Sequence, residues 1–370
     1  MSAFSPEGPE ARALPLRIGP YELLHELSQG PFGARWAATT ASGNEQGRLV
    51  MVRRVPLAGD PALAWALCEA MTVAELRDSR LCATLDVAVG DDEVGLVSEY
   101  VDGESLRALL GVAMLKRASL PRAVALRIAA DILQAIDVTA KIWVRTGGSP
   151  DAVYGSVSPD LTLVAGFGET LLLEAGISGL LVSLRELTKE PEFVGYSAPE
   201  RHCTPARIDA RSAVFSVGVL IHEMLSNRPL FFPSSRQTTA RMRIQSGLPI
   251  PDPQAASERV IVDLQTQPVP RLDGMDIAEP VSRGLADLVE RALERDPERR
   301  FATPSRMAEA MLELDGERLA KSHEVARTLE TLMKHSISLR QKALQRVVRG
   351  APVASLPPDS QRATLRPPRR

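Results

Sequence analysis

The strongest constraint on this chain is an ordered series of short motifs strung over residues 20 to 316. It begins with Leu27-Ser28-Gln29-Gly30-Pro31-Phe32-Gly33, a glycine-bearing loop that follows an apolar run and leads into Arg35-Trp36-Ala37-Ala38. Val50-Met51-Val52-Arg53-Arg54-Val55 then reads as a strand, and residues 95–106 as a strand, a connection and the start of a helix. Further on come Gly195-Tyr196-Ser197-Ala198-Pro199-Glu200, an apolar helical run over residues 211–220, and Asp296-Pro297-Glu298-Arg299-Arg300-Phe301. Taken singly, each block would pass for an ordinary core strand or helix. All of them in this order and at this spacing do not.

The series resembles the protein-kinase family, and Val157-Ser158-Pro159-Asp160 resembles the catalytic-loop wording of bacterial serine/threonine kinases of the eukaryotic-like type. The resemblance implies an α+β, two-lobed protein-kinase-like fold: a small antiparallel-sheet N-lobe over residues 20–101 and a larger, mainly helical C-lobe over 102–316. It also implies a nucleotide pocket at Gly30, Gly33, Met51, Arg53, Glu69, Glu99, Val101 and Leu163. A structural ion pair between Glu200 and Arg300 would tie the end of the activation segment to the late helices.

Phosphoryl transfer in this family relies on a lysine, an aspartate base, an asparagine and a metal-binding aspartate. At the matching positions this chain has Arg53, Ser156, Leu161 and Glu174. A serine hydroxyl is a poor proton acceptor near neutral pH, and leucine offers no oxygen to a hard cation. Glu174 keeps a carboxylate and is the one position that could still hold a metal, but its extra methylene displaces the charge. Arg53 replaces a point charge by a planar fork, which differs in reach and geometry; it is expected to pair with Glu69 and hold that helix inward. Supporting positions differ as well: Tyr154, Gly155, Ala175 and Ala213 stand where the family has histidine, arginine, phenylalanine and aspartate.

The pocket is altered separately from the chemistry. Met51 stands for a small alanine against adenine and Arg35 for a valine, and methionine fills irregular apolar gaps well. Pro31 removes one N–H from a loop whose main-chain donors would face phosphate. No cofactor is therefore expected; ATP with magnesium or manganese is the alternative. The expected function is a catalytically impaired, kinase-like regulator or scaffold in bacterial signalling. The rivals are an active serine/threonine kinase using Arg53, Glu174 and another base such as Asp160, and an ATP-binding switch without transfer.

A net charge of −2 gives no electrostatic case for a nucleic-acid partner. Cys68, Cys82 and Cys203 lack metal or disulfide spacing, as do the five histidines, which suits a reducing compartment. No signal peptide or membrane-spanning run is evident, so a cytoplasmic chain with a protein partner, a signalling protein or an active kinase, is expected. Residues 1–19 read as disordered, and residues 249–279, rich in Pro, Asp and Gln, as a long loop. Residues 318–349 read as a C-terminal helix with Val325, Leu329, Leu332, Met333 and Ile337 on one stripe, which would face either the larger lobe or another protein. The Pro/Arg-rich residues 350–370 read as a disordered tail.

Overall fold

The computed structural model describes residues 16–41, 46–57, 78–145, 153–154, 157–177, 191–231, 253–314 and 318–347. The first lobe is a six-stranded sheet of β1 (Arg17–Ile18), β2 (Tyr21–Ser28), β3 (Arg35–Thr40), β4 (Leu49–Pro56), β5 (Thr84–Val89) and β6 (Glu93–Glu99). Its spatial order is β1-β2-β3-β4-β6-β5, with antiparallel neighbours throughout. Because side chains alternate between faces of a strand, Val50 and Val52 point one way and pack with Ile18, Tyr21, Leu23 and Val97. Met51 and Arg53 point the other way, toward the second lobe. Ala37 pairs with Met51 and Arg35 with Arg53 across β3 and β4, so both arginines share that inner face.

The sheet starts earlier than the sequence suggests. Residues 16–19, expected within a disordered N-terminus, include β1, whose Ile18 is buried against the face of β6 at Gly95. Residues 1–15 lie outside the described residues.

The second lobe opens with β7 (Gly103–Ser105), which forms a three-stranded sheet with β8 (Thr162–Ala165) and β9 (Thr170–Leu172). Its helices are α1 (Leu106–Leu115), α2 (Arg122–Arg145), α3 (Pro191–Val194), α4 (Ala210–Ser226), α5 (Pro253–Thr266), α6 (Arg283–Ala292), α7 (Pro304–Leu312) and α8 (Ser322–Val347). The central helix α4 is mostly apolar and buried from Ser212 to Ser226, the pattern of a helix enclosed by its neighbours. A capping box of Asp209 and Ser212 starts it and Asn227, in the left-handed conformation, ends it. The expected loop at 249–279 is wrong in its middle: α5 occupies 253–266, anchored by Val260 and Leu264, which are buried and one turn apart. Composition misleads there because proline at the first helical position is tolerated.

The C-terminal stripe packs on the larger lobe. Val325, Leu329 and Met333 are buried in its main core, with Leu332 and Ile337 alongside. Among the described residues no helix is long and apolar enough to cross a membrane.

Candidate functional site

The cleft between the lobes is where the expected pocket residues meet. Met51 from β4, Val101 from the link between lobes and Leu163 from β8 are each at most 3% exposed. They form one apolar layer with Cys82, Ala165, Leu171 and Leu173, onto which Leu27 and Tyr100 pack. Side chains of both lobes thus touch directly. Glu99 ends β6, and its carbonyl accepts from the Cys82 thiol.

The glycine-bearing loop after β2 is folded into this cleft. At its tip a Cβ on Gly30 would lie 3.0 Å from Oδ1 of Asp160. Gly33 has φ of +99°, a backbone that excludes most side chains, and its Cα abuts the Arg54 carbonyl so closely that a Cβ would sit 1.9 Å from it. Between these glycines the chain turns Phe32 inward. Its ring is 1% exposed and joins a cluster of Val55, Leu57, Val94 and Leu96 from the first lobe with Leu161, Ile177 and Phe193 from the second. The Phe32 and Phe193 rings meet edge to face with centroids 6.2 Å apart.

Beside this cluster lies a buried group of charges. Nε of Arg53 donates to Oε1 of Glu174 at 2.5 Å, and the side chains are 2% and 5% exposed. Arg35, its cross-strand neighbour, is equally enclosed; burial and then the Arg53 charge lower it to about 10, so it remains a cation at neutral pH. Nε and Nη1 of Arg35, Nη2 of Arg53 and Oε2 of Glu174 are buried without hydrogen-bond partners among the described residues. Among the described residues Glu174 is the carboxylate that pairs with Arg53, and its charge also acts on Arg35. Glu174 has φ of +52°, uncommon for a residue with a side chain. Glu69, the expected partner of Arg53, lies outside the described residues, as do Gly155 and Ser156. Among the described residues no group of three or more His, Cys, Asp or Glu is placed to hold a metal ion.

Asp160, the alternative base, is held through one of its oxygens. Nε and Nη2 of Arg107 donate to its Oδ2 at 3.1 and 2.7 Å. Nη1 of Arg107 reaches the Tyr196 hydroxyl at 3.1 Å, and that hydroxyl donates to Oε2 of Glu223 at 2.5 Å. Burial raises Glu223 above the usual carboxylate range despite the Tyr196 hydrogen bond and the Arg107 charge. A Tyr196→Phe variant, which strips this buried chain of its middle member, is expected to lose about 1–3 kcal/mol in urea unfolding. An unchanged midpoint would show the network to be energetically idle.

At the far end of the same segment Arg300 clamps Glu200. Its Nη1 and Nη2 donate to the two carboxylate oxygens at 2.8 Å each. Sequence reasoning missed Phe32, Arg107, Tyr196 and Glu223 as participants. The available signal for Phe32 was the loop's lone large apolar residue, and for Arg107 its place one residue after a helix start.

No family model matches the chain. It is 25% identical over 266 residues to the serine/threonine-protein kinase PknB of Mycobacterium leprae, covering 70% of this chain and 37% of that protein. A probable serine/threonine-protein kinase of Streptomyces coelicolor is 28% identical over 307 residues, covering 79% of this chain and 40% of the relative. The tyrosine-protein kinase MasK of Myxococcus xanthus is 24% identical over 226 residues, covering 59% of this chain and 35% of the relative. The chain thus spans well under half the length of these relatives. The likeness supports a place in the protein-kinase family, and the sheet lobe and helical lobe form a two-lobed, protein-kinase-like α+β fold.

Proposed function

We propose that this chain is a kinase-fold protein without phosphotransferase activity, a regulator or scaffold that presents its surface to a protein partner in bacterial, cytoplasmic signalling. The observation that carries this reading is Phe32, buried across the cleft among Leu161, Ile177 and Phe193. Kinases of this family work with ATP and a divalent metal, and the residues here do not fit that pair. Met51 takes up the space beside Val101 and Leu163 where adenine would lie. Glu174, the remaining candidate metal ligand, gives one oxygen to Arg53 and buries the other among two arginines, and Leu161 gives no oxygen. The rival reading needs Asp160 as base, yet its carboxylate lies under Gly30 and one of its oxygens accepts two hydrogen bonds from Arg107, which leaves little room for a substrate hydroxyl.

The deciding measurement is a thermal-shift titration with ATP, with and without magnesium or manganese. Nucleotide at a hundred times its Kd would add about 2.7 kcal/mol of stability. The expected result is no shift at millimolar ATP. A metal-dependent shift would overturn the filled-cleft reading, and radiolabelled transfer abolished by Asp160→Ala would then restore the enzyme.

A further inference from the structure

Helix α8 starts against the larger lobe. Its first turn abuts the β8–β9 turn so tightly that a Cβ on Gly168 would lie 1.7 Å from the Ser322 carbonyl. Val325, Leu329 and Met333 are then buried in the main core, and Nζ of Lys116 donates to the Leu332 carbonyl at 2.7 Å. Past this seat the character of the contact changes. Arg340, its side chain 7% exposed, extends one guanidinium nitrogen to Glu104 and the other to Oδ1 of Asp102 at 2.6 Å. Those two carboxylates bracket Gly103, where the chain leaves the link between lobes and enters β7.

Beyond the larger lobe, α8 also touches β2, the strand that leads into the glycine-bearing loop. It therefore runs past both lips of the inter-lobe cleft, β7 below and β2 above. A groove of about 700 Å³, lined in part by Tyr100, Phe167, Lys334 and Ile337, lies beside the helix. Among the described side chains after Arg340, Leu344 alone is buried. Among the described residues the far end of α8 is held by the two Arg340 ion pairs, the Gln341 hydrogen bond to Asp102 and Leu344, whereas its near end is part of the core.

We propose that residues 340–347 of α8 form a lid, in cis, over the hinge-side mouth of the cleft, pinned by Arg340 between Asp102 and Glu104. The pin is a switchable contact because it depends on charge and on little apolar area; a partner that competes for the acidic pair, or for the helix, releases the lid while the near end stays docked. The inference uses the cleft described above only for the position of its mouth.

Cys82 supplies a reporter, since its thiol is buried in the apolar layer of the cleft, with Val101 of the link between lobes and with Tyr100 packed on that layer, and is pushed up to about 12 chiefly by burial. Alkylation of Cys82 by N-ethylmaleimide, followed by peptide mass spectrometry, is compared in the full chain and in Arg340→Glu, together with amide exchange. In the variant a third carboxylate replaces the cation between two others. The expected result is an increase of at least about tenfold in exchange over residues 336–347 and in Cys82 alkylation, with α4 unchanged, as for a local opening. The Arg340→Glu/Glu104→Arg pair should restore both. Release of α8 with unaltered Cys82 reactivity, or undiminished protection of α8, would overturn the lid. If α4 exchange rises as well, Arg340→Gln, which removes the charge without reversing it, is held to the same two outcomes. Neither readout involves nucleotide, so ATP binding would overturn the filled-cleft reading and leave the lid standing, and failure of the lid would leave the ATP result untouched.

Discussion

Phe32→Ala is expected to lower folding stability by about 3–5 kcal/mol, the usual range for truncating a buried aromatic ring. The reason is position more than size. A loop that cradles phosphates keeps its tip mobile and wet, and a phenylalanine there would be exposed; removing it would change stability by no more than about 0.5 kcal/mol. Here the ring is 1% exposed and bridges strands of one lobe to Leu161, Ile177 and Phe193 of the other. Its loss opens a cavity at the junction and exposes the Arg53 guanidinium, which lies 5.8 Å from the ring centroid. Guanidinium unfolding would read the loss as a lower midpoint. A Phe32→Leu variant, which keeps apolar volume, should recover part of it. A loss below about 1 kcal/mol for Phe32→Ala would place the ring outside the core, and with it would go the observation on which the proposed function rests.

How far the sequence could have led to this junction is uneven, and the reasons are physical. The period-two reading of β4 puts Met51 and Arg53 on one face, and Met51 was recognisable as too large for an adenine slot. The direction of Phe32 was not legible, because it depends on the turn between Gly30 and Gly33 and on apolar residues more than a hundred positions away. Arg53 shows the same limit. Its need for a carboxylate was plain, but nothing marked Glu174, 121 residues on, as one that supplies it; Glu69, the expected partner, lies outside the described residues. The helical stripe at 325–337 was readable from three- and four-residue spacing, while Arg340, three residues further along the same face but polar, carried no sign of its buried acidic pair. In α5 the signal was present and outweighed: Val260 and Leu264 stand one turn apart inside a stretch whose prolines and polar residues suggested a loop.

Arg300→Ala should be as damaging, because one side chain satisfies many groups at once. Besides both oxygens of Glu200, the guanidinium donates to the carbonyls of Glu294, Arg211 and Arg295 and lies 4.9 Å from the Phe215 ring centroid. Truncation leaves the half-buried Glu200 carboxylate with the Ser212 hydroxyl and strands three carbonyls, and breaking a buried pair in this way costs about 3–5 kcal/mol. Arg300→Lys should rescue little, since an ammonium cannot make the two parallel bonds of the fork. The pH dependence gives an independent check. Burial raises the Glu200 carboxyl, but the hydrogen bonds and charge of Arg300, with the Ser212 hydroxyl, outweigh it and hold the group below its ordinary 4.5. A folded-state value below the unfolded one means a contribution fully present above the unfolded value and lost as pH falls through the folded one. The gap in stability between the wild-type chain and Arg300→Ala should therefore be widest near neutrality and narrow below about pH 4. A gap that stays constant down to pH 3 would assign the loss to the stranded carbonyls and the Phe215 contact alone, and would remove the ion pair from the account of what holds Glu200 against the late helices.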